Sequence, residues 1–211
     1  MRTIIDKMIS MAVLLCIAMG ASAQTDVSTL DNAVYFEPTT VEAGESLTMP
    51  LMLKNKIDVA AMTFDIVMPE GVEIEMNSRG TAYLVTFDES SNRADASTHT
   101  LTSKPQADGS ARILCYSASA EVFLGNTGAV LDFPVKVSAD IKPGTYSIVI
   151  KNIELTTAQG SSVYPEDIVC TLVVRGDETP SPDYLKGDMD GNGKITINDV
   201  NILVNIYLGK K

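Results

Sequence analysis

The stretch SLTMPLMLKNKIDVAAMTFDIVMPEG, residues 46–71, decides the fold. Its first half places Leu47, Met49, Leu51 and Leu53 on one parity. Its second half places Met62, Phe64 and Ile66 on one face and stops at Pro69 and Gly71. Successive side chains of a strand point to opposite faces, so this alternation describes strands with one face buried. The same pattern recurs outward along the chain. AVYFEP (33–38) precedes it, followed by the turn residues TTVEAG (39–44). TAYLVTF (81–87), ARILCYS (111–117), GAVLDFPVKV (128–137), TYSIVIKNIELTT (145–157) and DIVCTLVV (167–174) come after it, separated by Gly, Pro, Asn and Asp. Period-two runs between turn residues predict a mainly β fold, an antiparallel β-sandwich of jelly-roll type with about nine strands. Pro50 and Pro134 fall inside strand runs, which makes those strands edges or bulged at the prolines. Residues 88–105 are polar and poorly patterned, and read as a long loop with one short strand around His99–Thr102.

The amino terminus reads as a leader. Arg2 and Lys7 precede an apolar run from Met8 to Met19, and Ala21-Ser22-Ala23 supplies small residues before Gln24. That is the layout of a secretory signal peptide, residues 1–23, and about a dozen apolar residues fall short of a bilayer span. The expected destination is extracellular, cell-surface or periplasmic. The remaining 188 residues carry 14 basic and 26 acidic side chains, a net charge of −12. This balance argues against nucleic acid, whose phosphates need clustered Lys and Arg, and suits a divalent cation.

Catalytic motifs are missing. The sequence has one histidine, His99, which reads as a solvated loop residue. It has no G-x-S-x-G, phosphate-cradling loop or H-E-x-x-H. Carboxylates abound, but no tryptophan is present to build a glycosidase cleft. Tyr35, Tyr83, Tyr116, Tyr146 and Tyr164 remain as possible sugar-binding aromatics. Cys115 and Cys170 sit on inward-facing strand parities. Export permits a disulfide, but two cysteines do not make a framework, and buried free thiols are the simpler reading. The reading is of a protein that is not an enzyme.

Chemistry concentrates at the carboxyl end. RGDETPSPDY (175–184) begins a charged, proline-bearing linker, 175–186, in which Arg175-Gly176-Asp177 carries too little information to imply cell adhesion. GDMDGNGKITINDVNILVNIYLG (187–209) follows. A twelve-residue loop can offer Ca²⁺ oxygens from positions 1, 3, 5, 7, 9 and 12, with glycine at 6 for the sharp turn. Starting at Asp188, those ligands are Asp188, Asp190, Asn192, the Lys194 carbonyl, Thr196 (through its hydroxyl or a water) and Asp199. Gly193 stands at position 6, and Ile195 is an apolar pin. A helix from Ile197 to Leu208 follows, with Val200, Leu203, Val204 and Tyr207 as an apolar stripe and Gly209 closing it.

A calcium loop with only the following helix resembles the repeat of the type I dockerin, including Asp at position 12. The resemblance implies Ca²⁺ as cofactor and a protein partner of cohesin type. It also implies partner contacts at loop positions 10 and 11, here Ile197 and Asn198 where that family commonly has Ser/Thr, beside the stripe Val200, Leu203, Val204 and Tyr207. Dockerins carry two such repeats and this sequence shows one. VEAGESLTMPLMLKN, MTFDIVMPEGVEI and RILCYSASAEVFLGNTGAVLDFPVKV resemble the cohesin-like sandwiches of exported Bacteroidetes proteins, a fold shared with carbohydrate-binding modules. The domains expected are a leader, a cohesin-like sandwich (24–174), a linker (175–186) and a dockerin-like loop and helix (187–211). The function expected is calcium-dependent protein–protein assembly, extending to polysaccharide utilisation. The rival is a carbohydrate-binding module for which calcium is only a stabilising clip.

Overall fold

The computed structural model describes residues 24–176, 187–189 and 194–208. The expected leader, linker residues 177–186, loop residues Asp190, Asn192 and Gly193, and the helix-closing Gly209 lie outside the described residues.

Twelve strands are described, in place of about nine: β1 (Ala33–Phe36), β2 (Thr39–Glu42), β3 (Ser46–Lys54), β4 (Val59–Val67), β5 (Val72–Ile74), β6 (Thr86–Phe87), β7 (Thr100–Pro105), β8 (Ala111–Tyr116), β9 (Ala129–Val137), β10 (Gly144–Thr157), β11 (Ser162–Val163) and β12 (Ile168–Arg175). One helix follows, α1 (Ile197–Tyr207). One sheet runs β1-β3-β9-β5 with β6 also on β9; the other runs β2-β12-β10-β4-β8-β7 with β11 on β10. The alternating residues of 46–71 behave as their pattern requires. Met49, Leu51 and Leu53 of one sheet and Met62, Phe64 and Ile66 of the other are all buried in one core. Phe36 and Phe133 meet edge to face there at 5.4 Å, an arrangement that suits the ring quadrupoles.

Five local readings change. TTVEAG is not only a turn: Thr39–Glu42 pair with Leu172–Arg175 as a parallel strand, the one non-antiparallel ladder described. Its residues are β-branched or compatible with a strand, and Glu37-Pro38 lets the chain leave β1 in one sheet and enter β2 in the other. TAYLVTF, conversely, contributes only Thr86–Phe87 to a ladder. Tyr83 makes a single bridge to Met76; its N–H donates to Ser103 Oγ at 2.9 Å, and Ser103 Oγ donates to its carbonyl at 3.0 Å. The short strand expected at His99–Thr102 runs instead from Thr100 to Pro105. The prolines do not mark edge strands, since β3 lies between β1 and β9 and β9 between β3 and β5, and the register shift of their ladder falls at Leu51/Met52; each proline sits instead where a neighbouring ladder stops. β1 pairs with β3 only from Leu51 onward, leaving Pro50 beyond it. Pro134 sits where β6 gives way to β5, its carbonyl accepting from Glu75 N.

The fifth change is the loop before β7, whose interior is held by a buried cation. Arg93 is 4% exposed and donates to the carbonyls of Leu124, Leu53, Gly128 and Gly125 and to Asn55 Oδ1. His99 is buried as well, against the solvated reading. Its ring lies 4.4 Å from Phe123, and its Nδ1 is 3.0 Å from Thr98 Oγ1. Burial holds its imidazolium below the ordinary histidine range, although the Asp95 and Glu121 charges oppose the shift. Cys115 and Cys170 are buried free thiols; burial pushes them up to about 12 and about 11. On the outer face of the larger sheet, Asp65 is 2% exposed and forms a two-pronged pair with Arg112, both bonds 2.7 Å, while Asn152 Nδ2 donates to it at 2.8 Å. The Arg112 guanidinium holds its carboxyl below the ordinary range. Among the described residues no helix is long and apolar enough to cross a membrane.

Candidate metal centre and docking helix

Helix α1 begins because Thr196, in extended conformation, caps it. The Thr196 hydroxyl accepts from Asn198 N at 3.2 Å, and Asp199 at N3 reaches back so that its Oδ2 accepts from Thr196 N at 2.6 Å. This reciprocal pair is a capping box, satisfying two helix-end donors at once. A carboxylate in the first turn also faces the positive end of the helix dipole. Asp199 does more than cap. Its Oδ1 accepts from Met189 N at 2.7 Å, tying the twelfth loop position to the peptide that follows the first.

That bond sets the backbone next to Asp188 against the Asp199 carboxylate, and both aspartates are buried, at 9% and 1% exposure. An all-oxygen, carboxylate-bearing donor set is the kind a hard divalent ion takes, so the described residues fit calcium. Lys194 and Thr196 lie on the same loop, but the Thr196 hydroxyl is committed to the cap, donating to Asp199 Oδ2 at 3.0 Å. Asp190 and Asn192 lie outside the described residues. Among the described residues, no three His, Cys, Asp or Glu side chains converge as a metal cluster. Ile195 pins little: it is 58% exposed, and the space a Cβ at Gly187 would fill lies 3.5 Å from its Cδ1. Gly187 has φ +118, a backbone conformation that favours glycine.

The helix is inside out relative to an ordinary surface helix. Its buried residue is a carboxylate, Asp199, while Val200, Leu203, Val204 and Tyr207 are 49%, 56%, 47% and 90% exposed. Ile197 and Asn198, the expected partner contacts at positions 10 and 11, are exposed too. The sequence reading missed that Ile206 and Leu208 join them, both exposed, with Ile202 half-buried. At 100° per residue Asn198, Asn201 and Asn205 form the polar face, and apolar side chains span about 240° of the circumference, interrupted only in the first turn by Asp199. A core-facing stripe needs only about 100°. The signal lay in the sequence, in isoleucines outside the i, i+3, i+4 template.

Elsewhere the exposed aromatics are few. Tyr35 is buried, Tyr83 and Tyr146 half-buried, Tyr116 37% exposed and Tyr164 72% exposed. The Tyr164 hydroxyl donates to Glu154 Oε1 at 3.3 Å, and Ser162 donates to the same oxygen at 2.7 Å.

No protein-family model matches the chain, and no curated protein matches it. Solved structures match by shape. The chain is similar to a non-cellulosomal cohesin from the hyperthermophilic archaeon Archaeoglobus fulgidus, at 13% identity and TM-score 0.54 over 71% of this chain and 94% of that one. It is similar to the seventh ScaB type I cohesin from Pseudobacteroides cellulosolvens, at 14% identity and TM-score 0.54 over 70% and 94%. A type I cohesin–dockerin complex from Clostridium thermocellum matches at 13% identity and TM-score 0.52, over 69% and 100%. The two-sheet sandwich is cohesin-like in fold.

Proposed function

We propose that this is an exported, non-catalytic interaction protein whose carboxyl-terminal segment is folded by Ca²⁺ into a docking helix for a protein partner. One observation carries the reading: α1 turns its carboxylate inward to close a loop and its apolar residues outward. In an acidic chain, an apolar arc that wide is explained by a surface that covers it. Asp188, Asp190, Asn192, the Lys194 carbonyl, Thr196 and Asp199 are the proposed ligands. The cation offsets two of the three carboxylate charges and fixes the helix start. Ile197, Asn198, Val200, Leu203, Val204 and Tyr207 are then presented together. Dockerin-like docking to a cohesin-type module is the partner class that the tail resemblance supports, and polysaccharide utilisation is the setting that goes with it. The leader-like pattern of residues 1–23 supports export from the cytoplasm.

Calorimetry with CaCl₂ tests the loop, and capture of partners from the source cell's envelope fraction, with and without chelator, tests docking. Heat with Ca²⁺ that Asp188→Ala abolishes, and a captured protein released by chelator, are the expected results. A chain that takes up no calcium at millimolar concentration overturns the reading.

The rival reading, a carbohydrate-binding module, is favoured by Tyr164, an exposed ring whose hydroxyl is held by Glu154. Its signature on a glycan array is binding that is lost in Tyr164→Ala and indifferent to calcium.

A further inference from the structure

We propose that α1 of one copy seats in a methionine-lined cleft on the sandwich of a second copy, so that calcium-loaded chains join head to tail. This rests on the reading that Ca²⁺ folds the tail, and it names one partner: another molecule of the same chain.

The cleft lies where β4 has ended at Val67 and β5 begins at Val72, and its volume is about 490 Å³. Ile66 and Ile74 form its buried floor; Met68, Met76 and Tyr83 stand half-buried at its mouth. Methionine is unbranched and polarizable, suited to moulding around an inserted apolar side chain. Glu73, Glu75 and Lys136 rim the opening. Lys136 is the cross-strand partner of Glu73, which leaves Glu75 to give the rim a net negative charge.

Charge decides which surface meets which. Residues 24–176 carry ten basic and twenty acidic side chains, a net −10. Residues 187–211 carry Asp188, Asp190 and Asp199 against Lys194, Lys210 and Lys211, a net of zero that one bound Ca²⁺ turns into +2. Sandwich against sandwich sets −10 against −10, and helix against helix joins two positive tails. Helix against sandwich alone brings opposite signs together, and complementary potential both steers encounter and suppresses the wrong pairing. The apolar arc of α1 is exposed in its own chain. A contact between two different patches of identical chains does not close on itself, so a pair still keeps one free cleft and one free helix, on opposite copies, and can grow.

Sedimentation velocity of the full chain tests this. With Ca²⁺ the mass should climb past the dimer as protein concentration rises, and chelator should return it to the monomer. Leu203→Asp on the helix and Met76→Lys at the cleft should each stop growth. Their equimolar mixture should form dimers and go no further, since each supplies the surface the other lacks. Glu75→Lys, a rim change that leaves the floor intact, should weaken association at least about tenfold. Growth of Met76→Lys like the parent chain, through helix-on-helix pairing, overturns the proposal. So does a calcium-loaded parent that stays monomeric, including one whose helix amides are protected by folding back on its own cleft. Calcium heat measured on the same sample separates the two failures. Heat without association sinks only this inference; no heat sinks the calcium reading beneath it.

Discussion

Replacing Asp199 by Asn tests the joint between loop and helix. Among the described residues the carboxylate accepts from Met189 N, Thr196 N and Thr196 Oγ1. Asparagine keeps one acceptor oxygen and turns an amide donor toward an N–H that needs an acceptor. The lost charge-assisted bond, at 1% exposure, costs about 1.5–3 kcal/mol. Loss of the negative charge at the helix start adds about 0.3–1 kcal/mol. The total, about 2–4 kcal/mol, falls on an eleven-residue helix, and helices shorter than about 12–15 residues are marginal on their own. Circular dichroism of Asp199→Asn should therefore lose the helical contribution while the sandwich melts at its parental temperature. In calorimetry the twelfth ligand has lost a charge and an oxygen. Calcium affinity should fall about a hundredfold, because each 1.4 kcal/mol is tenfold. Parental calcium binding with an intact helical signal in Asp199→Asn would refute both the capping argument and the loop assignment.

Arg93→Met removes a buried cation from five oxygen acceptors. It should lower sandwich stability by about 3–5 kcal/mol, read as a lower urea midpoint with unchanged slope. His99 makes stability depend on pH with a definite sign. Its folded value is depressed by burial, so the unfolded chain binds the proton first, and stability is lost as pH falls from about 6.5 toward the folded value. The difference in urea midpoint between the parent and His99→Gln should shrink over that interval. Cys115 and Cys170, buried and pushed up to about 12 and about 11, should ignore a thiol reagent at pH 8 in the native protein and react with two equivalents in denaturant.

Burial was legible in the sequence where pairing was not. TAYLVTF alternates because Tyr83, Val85 and Phe87 pack partly buried against the core, yet only its last two residues find a ladder partner. Period two reports which side is dry; hydrogen bonding depends on what the topology places alongside. TTVEAG was the converse: five residues between a proline and a glycine carry too few apolar side chains to show alternation, and a parallel neighbour 133 positions away in register (Thr39 with Leu172) supplies the partner. His99 was misjudged, and Arg93 passed unread inside the polar 88–105 stretch, for a related reason. Nothing local to a polar loop reveals that the carbonyls of residues 124–128, or the ring of Phe123, will close over it. The helix of the tail was legible in its bounds, Ile197 to Tyr207, since a helix start and its cap are set by neighbours in sequence. Its breadth of apolar surface was underestimated because a stripe was sought where most of the helix was apolar.

The placement of Asp199 couples three events that are usually separate. The same carboxylate starts the helix, closes the loop and, on the proposed reading, ligates the ion. Calcium affinity therefore includes the cost of forming a helix too short to persist alone, and metal binding energy becomes folding energy for this segment. Anything that covers the apolar arc also stabilises the helix, and hence the loop. Linkage then requires reciprocity: whatever factor calcium adds to docking, docking must add to calcium affinity. A partner, or a second copy at high concentration, should tighten the calcium isotherm by the same ratio that calcium tightens association. The two ratios are measurable independently. Their disagreement would show that the arc is covered by some route that leaves Asp199 out.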